Sequence, residues 1–286
     1  MPTTLPAAAD DRARSLLTVV DVRFEEDGGA VTVLVDGFPQ SAVDLADPAA
    51  LHFEYVQHLA LAVDALAPAG RLRVTHVGGA GLTLARWLHH TRPGSTQVVL
   101  EPDAALTESV RRELPLPRGH RIRVRPVRGE DGVAALRDAS ADVVVLDAFA
   151  EGRVPAGLGT VEWLTDVRRV LGDTGLLLAN LTDEPGMRYV ARVVAGAREA
   201  FGHTALVGLH EVLKGRRFGN LVLVASASPL DLYTLRRAAA SAALPTGVLP
   251  GADVARRVPS ARPLRASDAT AAASPEPPDP GSWRRR

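Results

Sequence analysis

The chain has 286 residues, enough for one substantial α/β domain and a small accessory unit. Its 33 basic side chains balance 33 acidic ones, so no electrostatic case exists for nucleic acid or an anionic membrane as a partner. Hydrophobic residues make up 46%, and cysteine is absent, which excludes disulfides, thiolate nucleophiles and Cys-based zinc sites.

Residues 1–14 are small and polar and are expected to form a flexible N-terminus. They lack a basic-then-apolar leader pattern. No apolar run reaches the roughly 18 residues that a membrane span needs, so a soluble, cytoplasmic protein is expected. Residues 15–50 form an N-terminal β unit. Its runs LLTVVDVRF and AVTVLVDGF flank the turn EEDGG, and Asp36-Gly37 leads into FPQSAVDL. Three strands are too thin to stand alone and should pack on the larger domain C-terminal to them.

Residues 51–250 alternate strand and helix patterns. A helix is predicted over 52–66, then strands over 72–77, 97–101, 122–127, 142–147, 175–180, 205–210 and 220–225. Helices are predicted over 82–90, 104–114, 132–137, 161–171 and 187–200. Strands separated by helices imply a Rossmann-like α/β fold with a mostly parallel sheet, and the last two strands read as a C-terminal antiparallel edge hairpin. Residues 251–286, rich in Ala, Pro and Arg, read as a disordered tail.

In such sheets ligands bind beyond the C-terminal strand ends. The first strand ends in Gly78, Gly79 and Gly81, which permit a nucleotide-binding loop or an ordinary strand-to-helix turn. The second ends at Glu101, 23 positions after Gly78, where an acid can accept both ribose hydroxyl hydrogens of an adenosine. After the third come Glu130 and Asp131. An acid there can accept the adenine amino group, or Asp131 can serve as a helix N-cap. The fourth ends at Asp147, where a carboxylate can orient a cationic substrate or take a proton from an attacking amine.

Asp183 and Glu184, in NLTDEP, read equally as an amine pocket or a surface loop. Arg216 and Arg217 are expected to face solvent. His58, His76, His89 and His90 have no metal-ligand spacing, and no Gly-x-Ser-x-Gly hydrolase elbow is present, so no metal site is expected.

In the order of these features the chain resembles the polyamine aminopropyltransferase (spermidine synthase) family, which shares the class I S-adenosylmethionine methyltransferase fold. The resemblance runs from about Leu16 to Ala227. It takes in the Leu34-Val35-Asp36-Gly37 turn, Glu54-Tyr55, the glycine loop, Glu101, Glu130-Asp131-Gly132, Asp147 and Pro155 to Gly175. It implies an adenosyl sulfonium co-substrate (decarboxylated S-adenosylmethionine, or S-adenosylmethionine itself) held by the glycines, Glu101, Glu130 and Asp131. It also implies a small-molecule amine acceptor, Asp147 taking the amine proton, Tyr55 hydrogen-bonding the amine, Gln57 and Glu151 beside it, and a homodimer.

Two departures matter. The family's loop is typically Gly-Gly-Asp-Gly-Gly, and its aspartate pairs with the propylamine of the decarboxylated donor. Here the loop is Gly78-Gly79-Ala80-Gly81-Leu82, which removes a charge-assisted hydrogen bond of roughly 1.5–3 kcal/mol. The family's second aspartate after Asp147 is replaced by Ala150, with Glu151 next to it. Aminopropyl transfer, methyl transfer on the same scaffold and a non-catalytic nucleoside-binding homologue are therefore all expectations of this sequence.

Overall fold

The computed structural model describes residues 21–268 and 274–278. Residues 1–14 and the predicted strand start at 16–20 lie outside the described residues.

The N-terminal sheet has strands β1 (Val22–Asp27), β2 (Ala30–Val35) and β3 (Phe38–Asp44), paired antiparallel in that order. Gly28 and Gly29 turn the first hairpin with φ of 59° and 94°, values that glycine adopts without a Cβ penalty. The register between β2 and β3 shifts between Val33 and Leu34, whose partners are Ser41 and Pro39. Gln40 is thus the extra residue of a β-bulge, and such a residue leaves the ladder and re-aims its groups.

The main body continues as α1 (Glu54–Leu66), β4 (Arg73–Gly78), α2 (Thr83–Thr91), β5 (Thr96–Leu100), α3 (Ala104–Glu113), β6 (Ile122–Arg125), α4 (Gly129–Ala134) and β7 (Val143–Asp147). A short 3-10 turn at Ala156–Gly159 leads to α5 (Val161–Leu171), β8 (Leu176–Asp183), α6 (Arg188–Phe201), β9 (His203–Leu209), α7 (His210–Leu213) and β10 (Gly219–Ser226). Then come α8 (Leu232–Ala240), β11 (Thr246–Pro250) and α9 (Gly251–Arg257). The eight strands lie in the order β11-β9-β10-β8-β7-β4-β5-β6. From β6 to β8 neighbouring strands are parallel, and β10 runs antiparallel to both β8 and β9.

Both sheet faces are covered, as a parallel sheet requires. In β7 the residues Val143 and Val145 pack toward α1 and α2, while Val144 and Leu146 pack toward α5 and α6. All four are at most 1% exposed. Local signals start the helices where they are needed: Asp103 caps α3 at the Leu106 N–H (2.8 Å) and Thr160 caps α5 at the Trp163 N–H (3.3 Å). A third apolar cluster joins Val33 and Val43 of the N-terminal sheet to Leu106, Val110 and Leu114 around α3.

Three expectations are corrected. The tail does not begin at 251: residues 251–257 form α9, Val254 is 1% exposed and Leu264 is fully buried. Burial of these two side chains, together with backbone and ion-pair contacts of residues 262–266, holds the segment, which composition alone hides. Strand β8 extends to Asp183 instead of stopping at 180 because β10 pairs with it from Leu177 to Asp183. The hairpin β9–β10 has a further strand, β11, outside it. Among the described residues no helix is long and apolar enough to cross a membrane.

Candidate active site

The chain runs β4 to β5 to β6 in one direction and then returns to place β7 beside β4. The cleft above this reversal is where an open α/β sheet binds its ligand. Gly78 and Asp147 are register partners at that point. Gly78 has φ +80°, and a Cβ there would overlap the Asp147 carbonyl and come within 2.8 Å of Ala148 Cα. Only glycine lets the two strands meet so closely. Gly79, φ +117°, has nothing within 4 Å of where its Cβ would stand. Its backbone is thus open to a ligand. Both line a narrow cleft with Ser41, Tyr55, His76, Leu82 and Asp147 among its walls.

Gly81 has a different task. A Cβ there would lie 2.8 Å from Ser41 Cβ, and the Gly81 N–H donates to Ser41 Oγ at 3.0 Å. It seats the glycine loop on β3 instead of facing a ligand. Arg86, only 5% exposed, clamps the other side: Nε donates to the Gly81 carbonyl and Nη1 to that of Pro115, both at 3.1 Å. Burial without a carboxylate partner lowers its pKa to about 10. Ala80 is half-buried against the apolar cluster of Val33, Val43 and the α3 side chains.

At the floor, Asp147 Oδ1 accepts a hydrogen bond from Asn180 Nδ2 (2.9 Å), and Asn180 Oδ1 accepts one from Asn220 Nδ2 (2.9 Å). This row crosses β7, β8 and β10, with Asn180 fully buried. Burial raises the Asp147 pKa to about 6, against the lowering effect of hydrogen bonds from Asn180 and Tyr55. The Tyr55 hydroxyl stands within reach of two acceptors, the Asp147 carboxylate and the bulged Gln40 carbonyl (3.2 Å). Burial and the Asp147 charge push the phenol well above its usual pKa, which makes Tyr55 a neutral donor and not a base. His76, 5% exposed, bonds Gln97 Oε1 through Nε2 (2.8 Å), and burial lowers its pKa to about 4, so it is an uncharged wall.

Glu101 lies just past β5. Burial raises its pKa, and one carboxylate oxygen accepts from the Asp103 N–H at 3.0 Å. The second oxygen has no protein partner among the described residues. Glu130 and Asp131 lie in the first turn of α4, which starts three residues earlier than the predicted 132. Its N-cap position is Arg128, so the N-cap reading of Asp131 does not hold. Asp131 is exposed, and Glu130 lies half-buried against Gly157 and 3.6 Å from Arg128.

Several expected site residues are engaged elsewhere. Gln57 Nε2 donates to the Leu51 carbonyl (2.7 Å) and braces the start of α1. Glu151 is exposed in a tight turn with φ +51° and does not line the cleft. Asp183 is neither pocket nor loop: 1% exposed, it accepts from the Val190 N–H at 2.7 Å and holds the start of α6. Glu184 is exposed. Arg216 and Arg217 are exposed, as expected, and make surface pairs with Glu211 (3.4 Å) and Glu54 (3.8 Å). Sequence reasoning missed Ser41, Arg86, Asn180 and Asn220 as parts of the site. A usable signal existed for the two asparagines: each is a lone amide adjoining an apolar run, in LLLAN and GNLVLV.

The sheet order, the glycine loop and the acids at successive strand ends define a protein of the class I methyltransferase fold. Human methyltransferase-like protein 13, in complex with SAH, has this fold, with a TM-score of 0.54 at 18% identity over 76% of this chain and 97% of its own. Within the fold, the chain is similar to spermidine synthases. A probable spermidine synthase from Corynebacterium glutamicum matches with a TM-score of 0.79 and 29% identity, over 87% of this chain and 94% of that one. Spermidine synthase from Thermotoga maritima shares the fold with a TM-score of 0.53 and 20% identity, over 73% of this chain and 69% of its own. No family model matches the chain, and no curated protein matches it by sequence.

Proposed function

We propose that the chain transfers an aminopropyl group from decarboxylated S-adenosylmethionine to a polyamine such as putrescine. The observation that carries this reading is the cluster of Tyr55, Asp147 and Asn180 at the end of β7, directly beside Gly78 and the open backbone of Gly79. The donor's adenosine would lie along the glycine loop, with its ribose on the unpaired oxygen of Glu101 and its adenine toward Asp131. The likeness to spermidine synthases supports the same assignment.

The chemistry rests on the residue states. A protonated amine is attracted by the Asp147 carboxylate and must lose a proton before its lone pair can attack. Asp147 accepts that proton, and Tyr55 orients the amine. The nitrogen then forms a bond to the propyl carbon next to the sulfonium. The C–S bond breaks with its electron pair going to sulfur, which leaves neutral methylthioadenosine. A base with a pKa near 6 is well matched to this task at neutral pH.

One observation favours methyl transfer from S-adenosylmethionine as a second reading. Ala80 packs among apolar side chains and brings no acid to pair with a donor amine. Calorimetry with both donors and with methylthioadenosine separates the readings. Tighter binding of the decarboxylated donor supports aminopropyl transfer, whereas tighter binding of S-adenosylmethionine overturns it. Failure of all three ligands to bind removes the adenosyl site altogether. Ala80→Asp is expected to shift preference toward the decarboxylated donor by about 10- to 150-fold, the equivalent of one charge-assisted hydrogen bond.

A further inference from the structure

The loop after Asp147 is fastened by the far end of the chain. Its first residues, Ala148 and Phe149, pack on the core, and Val154 at its other end is fully buried. Between them Ala150 and Arg153 exchange both backbone hydrogen bonds, at 2.8 and 2.9 Å. Glu151 and Gly152 form the two-residue turn, with φ of 51° and 74°. Positive φ at both central residues is the geometry of the tightest hairpins. This projecting turn touches residues 274–278 in three ways. The Val154 N–H donates to Ser274 Oγ at 2.8 Å, and Ser274 is only 1% exposed. Arg153 pairs with Glu276 at 2.6 Å. Pro277 lies on Gly152, where a Cβ would come within 2.7 Å of its Cγ.

We infer that residues 274–278 are a strap that positions the Asp147 loop, with Ser274 and Glu276 as the positioning residues. The three contacts are of different kinds and fall on consecutive residues, from Gly152 to Val154. A two-residue hairpin outside any sheet is marginal by itself. Holding it fixes the backbone that leaves Asp147 and hence the acceptor side of the cleft. That catalytic consequence rests on the transferase reading above, while the structural part does not.

Amide hydrogen exchange on the full-length chain decides the structural part. Ser274→Ala removes only the acceptor, so exchange at Val154 is expected to rise at least tenfold with the central strands unchanged. Glu276→Arg is expected to raise exchange across 150–154 about two- to threefold, an effect that fades at 1 M salt because the pair is exposed. Pairing it with Arg153→Glu should restore protection. Unchanged exchange in both single variants overturns the strap. Kinetics decide the positioning role: Ser274→Ala should raise the KM for the amine severalfold and leave the KM for the donor unchanged. Faster exchange with an unaltered amine KM overturns that role. An inactive wild-type chain would instead overturn the transferase reading, and the exchange comparison would still settle whether the strap exists.

Discussion

Asp147 sits under opposing influences: burial favours its protonated form, while the Asn180 amide and the Tyr55 hydroxyl favour the anion. Because the balance lies at about 6, kcat/KM is expected to rise with pH through that value as the base is freed. Asp147→Asn should lower kcat by about 100-fold or more and abolish this limb, and unchanged turnover would rule Asp147 out as the base. Asn180→Ala removes a donor to the anion, so the limb should move up by about one unit. The same shift carries a stability sign. A folded pKa of about 6 above a usual 3.8 means the native state holds the proton more tightly, so stability is fully present below about pH 4 and is lost as pH rises through 6. Relative to wild type, Asp147→Asn should therefore gain about 3 kcal/mol in urea unfolding at pH 8 and little at pH 4. Asp147 was legible in the sequence because an acid ends an apolar run. The two asparagines behind it were legible only as lone amides beside apolar runs; their role was hidden because it depends on which strands become neighbours, and β10 inserts beside β8 out of chain order.

The glycine loop is an element held from two sides. Ser41 and Ala42 of β3 bind the Gly81 N–H and the Thr83 hydroxyl (3.1 Å), and Arg86 binds the Gly81 carbonyl. Three glycines in one motif therefore do three things: Gly78 allows strand contact, Gly79 exposes backbone and Gly81 seats the N-terminal sheet. This predicts different failures. Gly81→Ala should cost about 1–3 kcal/mol by pushing Ser41 away, since an inserted methyl in a packed contact forces backbone shifts. Gly79→Ala has room for its methyl but a strained φ, so the stability loss should be about 1–2 kcal/mol. Its larger effect should be on donor affinity measured by calorimetry. If both variants lost affinity in proportion to stability alone, the division of tasks would be wrong. Spacing showed that a loop lay here. Which glycine faced the ligand was hidden, because that depends on Ser41 of β3, some 40 residues earlier, packing against Gly81.

At the scale of the whole molecule, the chain after Pro250 closes the fold instead of trailing from it. Leu264 is fully buried, and its carbonyl accepts from the Val161 N–H (2.9 Å) at the start of α5. The Arg192 guanidinium donates to the Arg262 carbonyl (3.0 Å), Arg265 grips both oxygens of Glu199 (2.8 and 2.9 Å), and the Ala266 N–H donates to Glu162 (2.9 Å). These contacts lash the segment across α5 and α6, the layer under the face of the sheet opposite α1 and α2. An Ala-, Pro- and Arg-rich stretch reads as unfoldable when its apolar content is averaged. Val254 and Leu264 escape that average because each fills a hollow formed by other elements. Ending the chain at Pro250 exposes both hollows and removes the apolar contribution of one valine and one leucine, about 1.5–3 kcal/mol each. The urea midpoint should fall by the equivalent of about 3–6 kcal/mol, and because α6 also packs on β8 and β10, the loss should appear as one cooperative transition. A midpoint equal to that of the intact chain would mean that 251–268 only rest on the surface. A separate early transition in the intact chain would mean that they fold as an appendage, and the strap at 274–278 would then hang from a mobile base.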